Sequence, residues 1–522
     1  MCLAVLGAQH LVYVAGWSVN TKVRLVREAM SPEMAAKVEE VRTTATDDDD
    51  NPVAAEGMSL GALLKYKSQE GVRVCLLVWD DKTSHDTFFL KTVAYLPSLR
   101  GGVSASVQIV GTMYTQHQKC LLVDTPASGS TRRITAFLGG LDLAAGRYDT
   151  PSHRLFADLG TVFSGDRGRG RGAGGREEGP RQPWHDMHCR VDGPAAYDVL
   201  ENFEQRWRKA TKLFRRAKSH WKDDALLKLE RISWILSPSD SGAGDGDGDD
   251  SHLYALPDGA GNLVPMEIAL KVASKIAAGE RFAAYIVIPM WPEGVPTSGP
   301  IQEILFWQRQ TMQAMYEVIA AAIRAAGMEG AAHPRDYLNF YCLGKREAAA
   351  AAGGSPEQEH NPAASSARRH GRFMIYVHSK GMIVDDEYVI VGSANINQRS
   401  LAGSRDTEIA VGAYQPNLRA GQVFGYRMSL WEEHLGSSEW RELRSPESPE
   451  CVKLVNGIAE ENWRRYAADY DDVAMQGHLM RYPVDVGDDG KISELRGHEF
   501  FPDVGGRILG STNNNYWDYL TM

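Results

Sequence analysis

No apolar run in this chain of 522 residues is long enough to cross a bilayer. The best helical candidate, VIAAAIRAAG, is short and interrupted by Arg324. Met1 to Val14 is mildly apolar but has neither a basic leading segment nor a cleavage signature, so no signal peptide is read there. Cysteine is scarce. Its six positions, Cys2, Cys75, Cys120, Cys189, Cys342 and Cys451, show no paired spacing of a metal or redox centre, and several lie in apolar contexts. That leaves reduced core thiols. A basic excess is lacking too: 57 Lys and Arg stand against 67 Asp and Glu, a net charge of -10. A nucleic-acid partner normally demands a basic face, so none is expected. A local basic patch over an anionic lipid surface is compatible with this balance. The expectation is a soluble protein that meets membranes at their surface.

What the chain does contain is a motif in duplicate. His117, Lys119 and Asp124 in YTQHQKCLLVD recur as His378, Lys380 and Asp385 in YVHSKGMIVDD. One His-x-Lys pair is ordinarily a solvated polar face; two full copies form a repeat, with each half donating half of an active site. Parity along an extended segment puts His and Lys on one face in each copy, so each copy is expected on a strand. Small-residue turns follow both: Gly139-Gly140-Leu141-Asp142 and Gly392-Ser393-Ala394-Asn395. Asp142, Ser393 and Asn395 there can hydrogen-bond where backbone and phosphate approach closely.

These residue types suit phosphodiester chemistry. Two ammonium groups neutralise the phosphate and the charge that develops on its oxygens. One imidazole attacks phosphorus, and the other protonates the leaving alcohol and then deprotonates water. No metal is needed for these steps. Which histidine is the nucleophile stays open.

On these motifs the chain resembles the phospholipase D superfamily, close to its plant, delta-like branch. EGVRVCLLVWDD, GGLDLAAGRYDTPSHRLF, PRQPWHDMHCRVDGPAAYDVLENFEQRWRKAT, IPMWPEG and IVGSANINQRS carry the likeness, which runs from Gly16 to Gly510. The resemblance implies cleavage of phosphatidylcholine and related phospholipids to phosphatidate and a free head group, with transfer to an alcohol acceptor as well as to water. It implies that Asp142 and Glu408 orient His117 and His378, with Asp406 an equal candidate for the second role. It also implies calcium ligands at His153, His185 and Glu433. Imidazole is an unusual calcium ligand, and His185 reads equally well as a hydrogen-bonded core histidine. A cytoplasmic enzyme attached peripherally to membrane, the plasma membrane in particular, follows from the same likeness.

The resemblance also exposes departures. The chain starts almost directly in the catalytic region, without the C2 domain of plant relatives, and lacks the segment that opens the second half, with its Glu-Asn-Gln-Tyr-Phe strand. The stretch between Trp79 and His117 is shorter than the family norm. The expectation is a truncated or mis-spliced product, and the rival to an active enzyme is a catalytically weak lipid-associated relative.

Alternation of apolar strands (GVRVCLLVW, FAAYIVIPMW) with helices (PMEIALKVASKIAAGE, then the segment from Ser298 to Gly327) gives an α/β class. At 43% hydrophobic residues the chain can fill several cores. The resemblance implies two α/β/α lobes about a pseudo-two-fold axis with the active site between them. The boundaries read as 1–238 for the first lobe, 239–251 for an acidic glycine-rich linker, 252–440 for the second lobe, and 441–522 for a C-terminal region acting as a structural cap. TDDDDN from Thr46, SGDRGRGRGAGGREEG from Ser164, and the run from Ala348 to Arg369 read as exposed loops.

Overall fold

The computed structural model describes residues 1–27, 31–44, 59–80, 93–94, 103–109, 115–158, 161–163, 180–215, 226–228, 262–347, 367, 370–403, 405–416, 421–469 and 474–512. The linker 239–251, the acidic run from Thr46, the arginine-glycine run and nearly all of 348–369 lie outside them.

The first lobe is built on a six-stranded sheet. Its strands are β1 (Leu11–Gly16), β2 (Arg73–Asp80), β3 (Val103–Ile109), β4 (Cys120–Pro126), β5 (Arg132–Gly139) and, beyond the two-residue β6 (Trp184–His185), β7 (His188–Asp192). They lie in the order β3-β2-β1-β4-β5-β7. β1 runs parallel to β2 and antiparallel to β4, so it is the strand where the sheet changes direction. Alternation along the strands sends Val12, Val14, Val74 and Leu76 to one face and Leu11, Tyr13, Cys75 and Leu77 to the other. Helix α1 (Leu60–Gln69) covers the first face with Leu60, Leu63 and Leu64. Helix α2 (Pro194–Arg215) covers the second with Val199, Leu200, Phe203 and Trp207. Because both faces are covered, β1 and β4 read as continuous apolar runs rather than alternating ones.

The second lobe has the same ingredients in two pieces. One sheet holds β8 (Ala284–Val287), β9 (Leu338–Arg346) and β10 (Arg372–Val377), in the order β8-β9-β10-β6. The other holds β11 (Gly381–Val384), β12 (Tyr388–Gly392) and β13 (Ala410–Tyr414) in sequence. The expected helices are present as α3 (Val264–Ala277), with Pro265 in its first turn, and α4 (Gly299–Ala325), whose Met312 and Met315 are core residues. By chain order and pairing direction, β8 corresponds to β2, β11 to β4, β12 to β5 and β13 to β7. The strand equivalent to β1 has no counterpart among the described residues. The described strands of the second lobe are divided between two sheets.

The C-terminal region closes this lobe. Its helix α6 (Pro449–Ala467), following α5 (Gln422–Leu435), packs Val455 and Ala459 against Tyr341 and Ile375, and β14 (Leu479–Arg481) adds antiparallel to β9. β6, from the first half of the sequence, pairs parallel with β10. The two halves are therefore interlaced rather than merely adjoined. Among the described residues all six cysteines are free thiols, and no helix is long and apolar enough to cross a membrane.

Candidate active site

The sequence places each His-x-Lys pair on a strand; the structure places it at a break between strands. β10 ends at Val377 and β11 begins at Gly381, so His378, Ser379 and Lys380 occupy the step from one sheet to the other. His117, Lys119 and the residue between them precede β4 in the same way. At each break the lysine folds back to donate its ammonium to the carbonyl of its own histidine. The distance is 2.8 Å for Lys119 onto His117, and Lys380 does the same to His378.

The two histidines are held by carboxylates from the opposite half. His117 Nδ1 lies 3.0 Å from each oxygen of Glu408. Glu408 also accepts from Ser393 Oγ at 2.5 Å, and its carbonyl accepts from Gln118 Nε2 at 2.9 Å. His378 Nδ1 lies 2.8 Å from Asp186 Oδ2, which also accepts from Trp184 Nε1. Backbone bonds fix both junctions: His117 N to Thr407 O at 3.0 Å, and His378 N to His185 O at 2.8 Å. The Trp184 ring leans over His378 with centroids 4.8 Å apart.

Four sequence expectations are corrected here. Glu408 orients His117 rather than His378. Asp142 touches neither imidazole; its Oδ1 accepts from Trp17 N and Ser18 N, and its Oδ2 lies 3.3 Å from Lys119 Nζ. Asp406 accepts from Thr115 N at 2.9 Å and pairs with Arg399, so it is not an orienting carboxylate. Neither motif aspartate is at the reaction centre. Asp124 is fully buried, accepts from His10 N and Leu11 N at 2.9 Å, and pairs with Arg132, which straps the start of β1 to β4. Asp385 sits on the exposed β11–β12 turn at φ +53°, while its neighbour Asp386 makes a two-point pair with Arg427. Asn395 is half-buried at the turn equivalent to that of Asp142.

Asp186 went unrecognised in the sequence, although a signal was present. Glu408 stands two residues before β13, and Asp186 stands two residues before β7, the matching edge strand. The glycine turns allow close approach at both: a Cβ on Gly140 would lie 2.2 Å from Asp186 Oδ1, and one on Gly392 would lie 2.6 Å from the carbonyl of Ile409, the residue after Glu408.

The histidines and lysines of the two motifs bear on one another's protonation. Burial and the Lys380 charge hold His378 down at about 3, against the raising effect of Asp186, and Lys119 adds to the depression. His117 is lowered by burial and Lys119, and Lys380 reaches it too. Burial pushes Lys380 down to about 7, with Lys119 contributing. Asp186 is held at about 2: burial raises it, and the His378 hydrogen bond more than offsets this. With both carboxylates ionised, each Nδ1 donates to its carboxylate and each Nε2 keeps a free lone pair at neutral pH.

This geometry has a clear family context. A sequence profile described as Phospholipase D matches residues 4–256 and again 249–510. The chain belongs to the phospholipase D family. It is 46% identical to phospholipase D delta of Arabidopsis thaliana, with all of this chain and 72% of that protein covered. It is 42% identical to phospholipase D gamma 3 of the same plant, covering 98% of this chain and 69% of the relative. To phospholipase D alpha 1 of Ricinus communis it is 38% identical, with 99% and 72% covered. The alignment with the delta protein runs over 653 positions, more than this chain possesses, so the relative carries additional residues inside the matched span. Among solved structures, polyphosphate kinase from Porphyromonas gingivalis aligns at 11% identity and TM-score 0.32, covering 82% of this chain and 44% of that one; a score that low carries no argument. As a phospholipase D, the protein is a phosphodiester hydrolase, and its substrates are phospholipids.

A second cluster abuts this phospholipase D site. His153 Nε2 and His185 Nδ1 both face Glu433 Oε1, at 2.9 and 2.8 Å. The other nitrogen of His153 meets Asp149 at 2.8 Å, and Asp149 is paired with Arg181. Burial opposes protonation of His153, but its hydrogen bonds to Asp149 and Glu433 raise it above the usual histidine value. The three expected calcium ligands thus do come together, and their ligand atoms lie within 4.8 Å of one another. Their donor set does not fit calcium, which takes roughly six to eight oxygens.

Proposed function

We propose that this phospholipase D hydrolyses phosphatidylcholine and related glycerophospholipids to phosphatidate and the free head-group alcohol through a phosphohistidine. The observation that carries the reading is the crossed pairing, His117 with Glu408 and His378 with Asp186, around two buried lysines. One neutral imidazole attacks phosphorus through Nε2, forming an N–P bond as the P–O bond to the head group breaks. The other imidazole, protonated when the anionic phosphodiester enters, gives its proton to the departing alcohol oxygen. It then takes a proton from water as that oxygen displaces the histidine, releasing phosphatidate and restoring both rings. An alcohol in place of water gives transphosphatidylation. Lys119 and Lys380 neutralise the phosphoryl oxygens as their charge grows.

A cytoplasmic enzyme docking peripherally on membrane, the plasma membrane in particular, is part of the same proposal. Leu263, Met266 and Leu270 are exposed at helical spacing on and beside α3, and a bond from Asn262 N to Gln398 brings that end near exposed Ile396. Such an apolar rim beside an anion site suits a lipid surface. Nucleic acid is not a proposed partner.

Choline release from phosphatidylcholine vesicles is the test. Release by the wild type that disappears in His378→Ala and in His117→Ala supports the reading. Release that persists in either variant contradicts it. The split second sheet favours one rival, a weak or inactive relative, and a folded wild type that releases nothing would establish it.

A further inference from the structure

The cluster beside the catalytic centre is richer in imidazole than the expected calcium site requires. His185 packs edge-on against His434, with ring centroids 5.1 Å apart, and His153 packs against His478 at 5.0 Å. Both outer rings are more than nine-tenths buried, at 7% and 6% exposure, and each has a buried nitrogen with no hydrogen-bond partner, Nε2 of His434 and Nδ1 of His478. Buried polar atoms are ordinarily satisfied, so two orphaned imidazole nitrogens beside three converging donors call for an explanation. The protein gathers the group from four places: the segment after β5 (His153), β6 (His185), the last turn of α5 (Glu433 and His434) and the approach to β14 (His478).

We infer that this cluster is a site for a borderline transition-metal ion of the zinc type, not for calcium, held by His153, His185 and Glu433, with the His434 and His478 rings packed against its two imidazoles. Two imidazoles and one carboxylate are a common donor set for such ions, whereas calcium is selected by shells of oxygen. The surroundings fit as well. Asp149 on the far nitrogen of His153 is the carboxylate–histidine arrangement that orients a ligating ring, and Arg181 and the Trp184 backbone hold Asp149 in turn. Ligation at His153 Nε2 displaces the proton that nitrogen shares with Glu433. The ion's place is structural: His185 immediately precedes Asp186, so fixing His185 fixes the carboxylate that orients His378. The inference does not depend on the substrate assigned above.

The experiment uses the full purified chain stripped with chelator, then titrated calorimetrically with zinc and with calcium, and separately with cobalt(II) as a visible-absorption reporter of nitrogen ligation. Zinc is expected to bind at about one ion per chain with calcium failing to compete, and Asp149→Asn to weaken zinc roughly 10–100-fold. His185→Ala and Glu433→Ala, checked for native far-UV circular dichroism, are expected to lose the ion and the cobalt spectrum. Should those variants fail to fold, the zinc-against-calcium competition and the cobalt spectrum on the wild type decide alone. Calcium binding that excludes zinc, binding of neither ion, or zinc binding unchanged in folded variants would each overturn the inference.

Discussion

Two carboxylates, Asp186 and Glu408, set the tautomer of the catalytic rings, so their loss should cost rate rather than binding. Asp186→Asn keeps the shape but offers a donor where Nδ1–H needs an acceptor, and a wrong tautomer at such a pair lowers turnover on the order of 10⁴-fold. Steady-state kinetics on Asp186→Asn and Glu408→Gln should show falls approaching that scale in kcat with KM little changed; a loss confined to KM would mean they bind substrate instead. Ser393→Ala removes the hydroxyl that donates to Glu408 and accepts from Ile409 N, and should cost about 1–3 kcal/mol of transition-state stabilisation. Titration gives a further expectation. Lys380 is held down at about 7 by burial, so its ammonium is complete below that pH and is lost as pH rises through it. The free enzyme should therefore lose kcat/KM above about pH 7, while a bound phosphate raises the lysine and moves the alkaline limb of kcat to higher pH. Coincident limbs would show that Lys380 does not face the phosphate.

Secondary-structure elements explain why the two motif aspartates diverge. In the first half β1 exists, and Asp124 binds the backbone at its start while neutralising Arg132. Removing one partner of a buried pair costs about 3–5 kcal/mol, so Asp124→Ala should lower unfolding stability on that scale. Asp385 lies on an exposed turn and only the left-handed backbone at φ +53° favours aspartate over alanine there, so Asp385→Ala should cost about 1 kcal/mol, well short of Asp124→Ala. Equal losses in denaturant titrations of the two variants would contradict this assignment. The same contrast shows what the sequence could convey. Apolar runs such as GVRVCLLVW and the capped helices announced themselves through local periodicity, and the duplicated His-x-Lys through repetition. The carboxylates did not, because Glu408 reaches His117 across 291 residues and Asp186 reaches His378 across 192. The strand assignment for His and Lys failed because parity along the chain cannot register a step from one sheet to another, as between Val377 and Gly381.

At the scale of the molecule, the described residues of the two lobes are not equally buried. β1 and β4 are buried along nearly their whole length, whereas β8 is only half-buried and β11 is exposed at both ends. Amide hydrogen exchange should therefore be slow in β1, β2 and β4 and markedly faster in β8 and β11, since local opening is easiest where backbone bonds meet solvent. Equal protection in the two lobes would mean that another segment completes the second sheet. The catalytic histidines escape much of this asymmetry, because each leans on a carboxylate and a backbone carbonyl from the opposite half. The most direct test of that crossed site is to quench the enzyme during turnover of phosphatidylcholine and map acid-labile phosphate by mass spectrometry. The account predicts a phosphorylated histidine at His117 or His378 that vanishes when that residue is replaced. Turnover with no label on either ring would contradict it.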